Sequence, residues 1–309
     1  MSVSSGASVG FVILSHAHPE QALRLVDTLN RMYHFPPIAW HHDLSQSPLD
    51  VAKVLPNVRL VTPSLRTGWG KFSVVRAFLA ALELLYTSDD PDWFCLLSGA
   101  DYPTSSADAV LQELEAAECD AFLDVHQLGP TRPRAQIVGD WNPSLAHLET
   151  SEQYRAKDRF YNKGQLWVPL LRTRPRLRLG RHTFHLPIDG RHPYSSHFGL
   201  FWGDHWFTAN RRAADVLLSP TANHRKLARH LTRRVFPEEC YYQTVLCNSP
   251  RLTICRDNRR FAVWNGGGAH PMMLGEAELP PILASGAHFA RKFAPGAPVL
   301  DDLDRTLLG

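Results

Sequence analysis

The sequence predicts a mixed α/β domain, and three observations carry that expectation. Short apolar runs alternate with helix-period segments through the first 125 residues, the pattern of a doubly wound sheet. Polar residues gather just past the carboxyl ends of those runs, where open α/β sheets bind ligands. A chain of 309 residues suits one large domain or two closely packed ones, with room for a sizeable core.

The elements follow in order. Val9 to Leu14 (VGFVIL) is a continuous apolar run, as a strand buried on both faces would be, and it ends at Ser15 and His16. Ala22, Leu23, Leu25, Val26 and Leu29 then form a helical stripe. Ile38 to His41 is a second strand ending at His42 and Asp43, and Val58 to Val61 is a third. Residues 73–86 form a strong helix, and Trp93 to Leu97 is a buried strand ending at Ser98-Gly99-Ala100-Asp101-Tyr102-Pro103. A helix over 106–117 and a strand over Ala121 to Val125 complete the alternation. Any single polar strand end is as readily an ordinary turn; three in register predict a crevice.

From 126 to 200 the pattern breaks down. RTRPRLRLGR (Arg172 to Arg181) alternates Arg and Leu and reads as a β-ribbon, either a solvated edge or a contact for an anionic acceptor or membrane surface. Residues 211–218 and 224–235 read as helices, the second basic and amphipathic. Leu252 to Cys255 and Phe261 to Trp264 are short strands, and Asn265 to Pro271 is a glycine-rich loop without the GxxxxGK(S/T) of a phosphate-binding loop.

Composition narrows the classes. A net charge of +3 is too mild for nucleic acid but compatible with an anionic substrate. The five cysteines have neither a framework spacing nor a CxxC zinc pattern, so a reducing cytoplasm is expected. No apolar stretch approaches the ~18 residues of a membrane span, and the first residues lack the basic start of a signal peptide.

Residues 236–249 (FPEECYYQTVLCNS) say most about chemistry. Glu238 and Glu239 follow a proline and precede an aromatic and apolar helix. Two readings stand at this point: the acids complement a helix dipole, or one of them is a general base held rigid and partly dry.

Five ordered pieces resemble the core-2/I-branching N-acetylglucosaminyltransferase family, which includes the peptide O-xylosyltransferases. They are VILSHAHPEQ (Val12 to Gln21) with the strand ending at Asp43, GWGKFSVVRA (Gly68 to Ala77), LLSGADYPTSS (Leu96 to Ser106), GDHWFTANRRAADVLL (Gly203 to Leu218) running into PEECYYQTVLCNS, and the closing GGGAHPMML and HFARKF. The resemblance spans about 9 to 303 and is closer to the shorter bacterial members. It implies a GT-A-like glycosyltransferase fold with a mixed, mostly parallel sheet flanked by helices. Residues 1–125 would form a nucleotide-sugar-binding half, and 126–309 an acceptor-binding and catalytic half of the same domain.

The implied activity is inverting transfer from a UDP-sugar, N-acetylglucosamine first and xylose or another sugar as the alternative, to an acceptor hydroxyl. The resemblance puts the base on Glu239, with Glu238 and Trp206 toward the acceptor. It gives donor contacts to His16, Asp43, Arg66, Asp101, Arg260, Arg291 and Lys292, with Arg259 able to replace Arg260. No Asp-x-Asp surrounds Asp101, so basic side chains rather than a metal or other cofactor are expected to receive the departing UDP. The expected acceptor is a glycan, a lipid-linked glycan or a small molecule. Asp204 departs from the family pattern, where a small residue is more usual. A non-catalytic sugar-nucleotide or glycan-binding protein on the same fold is the competing reading, and a metal hydrolase is disfavoured because HExxH is absent.

Overall fold

A computed structural model describes residues 6–128, 131–139, 176–179, 182–185, 193–264 and 270–309. The first strand, β1 (Val9–Ser15), leads into helix α1 (Pro19–Tyr33) and strands β2 (Ile38–His42) and β3 (Val58–Leu60). Helix α2 (Phe72–Ser88) precedes β4 (Trp93–Ser98), β5 (Asp101–Pro103) and α3 (Ala107–Ala116). Then come β6 (Ala121–Phe122), β7 (His126–Leu128), β8 (Gln136–Val138), β9 (Arg176–Leu179), β10 (His182–His185), β11 (Leu200–Trp202) and β12 (Thr208–Asn210). Helices α4 (Arg211–Leu218), α5 (Ala222–Leu231) and α6 (Tyr241–Cys247) follow, then β13 (Thr253–Cys255), β14 (Arg260–Phe261), α7 (Leu279–Ala284), β15 (Phe289–Arg291) and α8 (Val299–Leu308).

The main sheet has eight strands in the order β3-β2-β1-β4-β12-β6-β13-β8. All its pairings are parallel except the two made by β12, which runs antiparallel to β4 and β6. The expected mixed, mostly parallel sheet flanked by helices is therefore observed. Each face carries its own core. On β1, Phe11 and Ile13 pack toward α1 and α8, while Val12 and Leu14 pack toward α2; this two-sided burial is why the run is apolar without alternation.

Several expectations change in detail. The strand expected over 121–125 is only Ala121–Phe122, and that over 261–264 is only Arg260–Phe261. Thr208–Asn210, inside the GDHWFTAN segment, is a strand that the sequence reading missed; it crosses between β4 and β6 and joins the two halves of the chain in one sheet. Of the Arg172 to Arg181 stretch, 176–179 form β9, paired antiparallel with β10; the rest, and with it the proposed membrane contact, lies outside the described residues, as does the loop 265–269. Among the described residues no helix is long and apolar enough to cross a membrane.

A second, three-stranded sheet, β14-β15-β5, decides what stands at the rim. It sets Arg291 opposite Asp101 and Ala290 opposite Tyr102, so two motifs 190 residues apart become neighbours. The Tyr102 hydroxyl bonds Thr28 at 2.7 Å and donates to Asp304 at 2.7 Å, tying this sheet to α1 and α8.

Candidate active site

A cleft of about 1300 Å³ opens past the carboxyl ends of β1 and β4. His16, Ser98, Gly99 and Ala100 from the strand ends line it together with Trp206, Glu238 and Glu239. Arg256, Arg260, Arg291 and Lys292 also line it. The Cβ that Gly99 lacks would lie 3.1 Å from the Ser15 Cβ and 3.3 Å from that of Ala22, so a small residue lets the two strand ends approach.

Glu239 sits on a rigid support. Residues 237–239 form a single 3-10 turn, with Pro237 at its first position and Phe236 held in the left-handed region at φ 52. Helix α6 behind it is buried on every side, as its apolar run anticipates. Its polar side chains complete the neighbouring strand. The Thr244 hydroxyl accepts from Phe201 N–H and donates to Phe201 C=O, and the Asn248 amide makes the same exchange with Gly199. The strand then delivers Gly203, whose N–H donates to the Glu239 carbonyl at 2.8 Å. Any Cβ at Gly203 would fall 1.9 Å from the Asp124 carbonyl oxygen, so only glycine fits.

The cations are arranged differently from one another. The Arg291 guanidinium donates to Asp101 Oδ1 at 2.9 Å and lies 4.5 Å from the Trp206 ring centre. Arg260 spends its guanidinium on the carbonyls of Asn258, Leu96 and Phe207 and on Thr208 Oγ1, above the Phe289 ring. Arg259 does not line the cleft; it pairs with Glu113 and Asp257. For Lys292, no hydrogen bond or ion pair from the ammonium is made among the described residues. Its backbone is fixed by Leu274 N–H on its carbonyl at 2.8 Å and by Phe293 N–H on Ala100 C=O at 3.0 Å. Burial and then Arg291 lower the Lys292 pKa, and burial lowers that of His16 with Lys292 adding to it.

The two buried acids named from the strand ends do not line the cleft. Asp43 is fully buried and accepts from Ser45, Gln46 and Thr67; burial pushes its carboxyl up, but those hydrogen bonds outweigh burial and hold it below the usual range. Asp101 is fully buried under Ser98 and Arg291. Their hydrogen-bond partners do line the cleft: Gln46 and Thr67 beside Asp43, and Arg291 beside Asp101. Arg66 is exposed and outside the cleft, although the adjacent Thr67, Gly68 and Trp69 line it.

Sequence reasoning missed Asp124, His126, Trp202, Arg256 and His270, all of which line the cleft, and gave Asp204 no role there. His126 pairs with Asp124 at 3.0 Å and stacks on Trp202 with ring centres 4.4 Å apart. Asp124 and His126 lie just beyond the short strand β6, so the strand-end rule that found His16 could have found them. Asp204 is pushed up to about 6, chiefly by burial, with Arg291 opposing and with Asp124 and Glu239 adding to the rise. His205 beside it is pushed down to about 3 by burial and by Arg291. No group of three His, Cys, Asp or Glu side chains suited to a metal ion occurs among the described residues.

The family model for the Core-2/I-Branching enzyme matches residues 9–283. Among curated proteins, the beta-glucuronosyltransferase GlcAT14A of Arabidopsis thaliana is 28% identical over 258 residues, 82% of this chain and 51% of that protein. Its relative GlcAT14B is 26% identical over 258 residues, covering 82% of this chain and 52% of that protein. Xylosyltransferase 1 of Homo sapiens is 26% identical over 268 residues, covering 83% of this chain but 24% of that protein. The chain thus spans about half the length of the plant relatives and about a quarter of the human one.

Proposed function

The chain belongs to the Core-2/I-Branching enzyme family, and from that premise we propose that it is an inverting glycosyltransferase that uses a UDP-sugar. One observation carries the reading: Glu239 and Lys292, far apart in sequence, line the same cleft. In a single displacement, the acceptor hydroxyl attacks the anomeric carbon while Glu239 takes its proton. The bond from that carbon to the phosphate oxygen breaks, and its electrons leave on UDP. Lys292 faces that developing charge, and Arg291, held by Asp101, adds a second positive group. Basic side chains in this place make the transfer metal-independent.

The family resemblance favours N-acetylglucosamine as the transferred sugar, with xylose as the alternative; the names of the relatives add xylosyl and glucuronosyl transfer to the set. The acceptor is a hydroxyl on a glycan, a lipid-linked glycan or a small molecule. The five cysteines follow no disulfide-framework spacing, which supports a reducing compartment such as the cytoplasm. A non-catalytic sugar-nucleotide binder on the same fold would keep the cleft and lack turnover.

A panel of UDP-sugars tests this, read by thermal shift and by UDP release. At 100 times its Kd a ligand of the native state adds about 2.7 kcal/mol, so binding is visible in the melting temperature. The expected result is binding, UDP release, and unchanged turnover in EDTA. Loss of activity on chelation, restored by Mn²⁺, overturns the metal-free step; binding without any turnover makes the protein a binder.

A further inference from the structure

Asp204 is a charged side chain of this cleft to which the transfer step gives no part. It lines the cleft together with Glu239 and Arg291, and the Asn258 amide that bonds its Oδ2 also donates to the carbonyl of Trp206, whose ring lies 4.5 Å from the Arg291 guanidinium. Glu239 is the proposed base, and Arg291 precedes the lysine that would face the leaving phosphate. A sugar that reaches both groups lies in the cleft that Asp204 lines, and Gly203, the residue before Asp204, donates to the Glu239 carbonyl at 2.8 Å.

The carboxylate is held firmly. Oδ1 accepts from His205 N–H at 2.8 Å and Oδ2 from the Asn258 amide at 3.1 Å. The backbone of Asp204 donates to Asp124 Oδ2 at 2.9 Å and accepts from the Gln243 amide at 2.6 Å. Gly203, one residue earlier, is the link to Glu239. An ionised carboxylate offers about four lone-pair sites, and the protein fills two of them. What remains can only accept, so it calls for a donor: a sugar hydroxyl, or the N–H of an acetamido group.

A uronic acid carries the wrong group for this place. Its carboxylate brings no proton at neutral pH and a like charge. The nearby cations do not offset that readily: Arg260 is spent on the carbonyls of Leu96 and Phe207, and the transfer step assigns Lys292 to the leaving phosphate. Arg291 is committed to Asp101, and His126 to Asp124. Arg256 donates to the Val125 carbonyl at 2.9 Å and also faces Asp124.

We infer that Asp204 is a specificity residue that selects a neutral, hydroxyl-rich donor sugar and rejects a uronic acid, an inference that rests on the transferase reading above. The chain would in this respect differ from the plant glucuronosyltransferases it resembles in sequence.

The test compares kcat/KM for UDP-xylose, UDP-N-acetylglucosamine and UDP-glucuronate in the native protein and in Asp204→Asn and Asp204→Ser, with UDP binding measured on each. The native protein should favour the better neutral donor over UDP-glucuronate by at least about a hundredfold. The variants should narrow that ratio by about tenfold or more while binding UDP as before. Asp204 acting only as a strut for His205 and Asn258 would lower all three rates together and leave the ratio alone, which overturns the inference. So does a native protein that prefers UDP-glucuronate, whatever the variants do. If none of these donors binds or is turned over, the transferase reading itself falls and this inference falls with it.

Discussion

Asp101, buried beside the cleft residue Arg291, and Glu239, which lines the cleft, are both acids but are held in opposite ways. Asp101 is fully buried, with its oxygens on Ser98 and Arg291. Glu239 is partly exposed in the cleft, on a turn pinned by its own backbone carbonyl through Gly203. The same division runs through the cations. Arg260 gives its guanidinium to backbone carbonyls of the sheet, whereas Lys292 stands in the cleft with its backbone fixed on both sides. Charge saturated inside the frame builds the site; Lys292, fixed by its backbone but facing the cleft, is left for the substrate.

Substitutions can break this division. Glu239→Gln keeps shape and removes the base, so transfer should fall about 10²–10⁴-fold, with UDP affinity and melting temperature near native. Normal turnover in that variant would move Glu239 into the structural class. Lys292→Ala should cost about 10²–10³ in kcat, the size seen when one preorganised charge-stabilising donor is lost, again without unfolding. Asp101→Ala should behave the other way. It strips a buried partner from Arg291, whose side chain is 11% exposed, and should cost about 3–5 kcal/mol of stability in denaturant unfolding. Unchanged stability would show that Asp101 belongs with the substrate-facing groups.

The smallest effect is on pH dependence. His205 is held neutral with its pKa pushed down to about 3, while in the unfolded chain it titrates near 6.5. Between those values the unfolded chain binds a proton that the folded one refuses, so stability falls as pH drops below about 6.5. Burial lowers His41, His224 and His288 in the same sense. Asp204, raised to about 6, opposes this, because its folded form regains a proton on acidification. The histidines outnumber it, and the melting temperature should drop by several degrees between pH 7 and pH 5. A melting temperature that rises over that interval would mean the buried histidines are not held neutral.

Much of the first half was legible in the sequence. Strands buried on both faces must be apolar throughout, so β1, β2 and β4 declare themselves, and α1 and α2 follow from their periodicity. The second half was harder because its strands are short. β12 has three residues and β14 two, too few for a period to register, yet β12 joins the halves of the sheet. At the site, residue chemistry and the family resemblance singled out Glu239, Lys292 and Arg291, and all three line the cleft. They could not choose between Arg259 and Arg260 and overlooked Arg256, three arginines within five residues that end in three different environments.

By itself, the sequence determined the layered α/β class, the strand ends that line the cleft, and an acid at the head of a buried helix, because local patterns of burial and turn chemistry are written in neighbouring residues. Only the tertiary structure decided which charges are spent. Asp101 meets Arg291 across 190 residues through β5 and β15, and Asp204 comes to Glu239 through Gly203. Those encounters depend on strand pairing between distant segments, and no local pattern carries them.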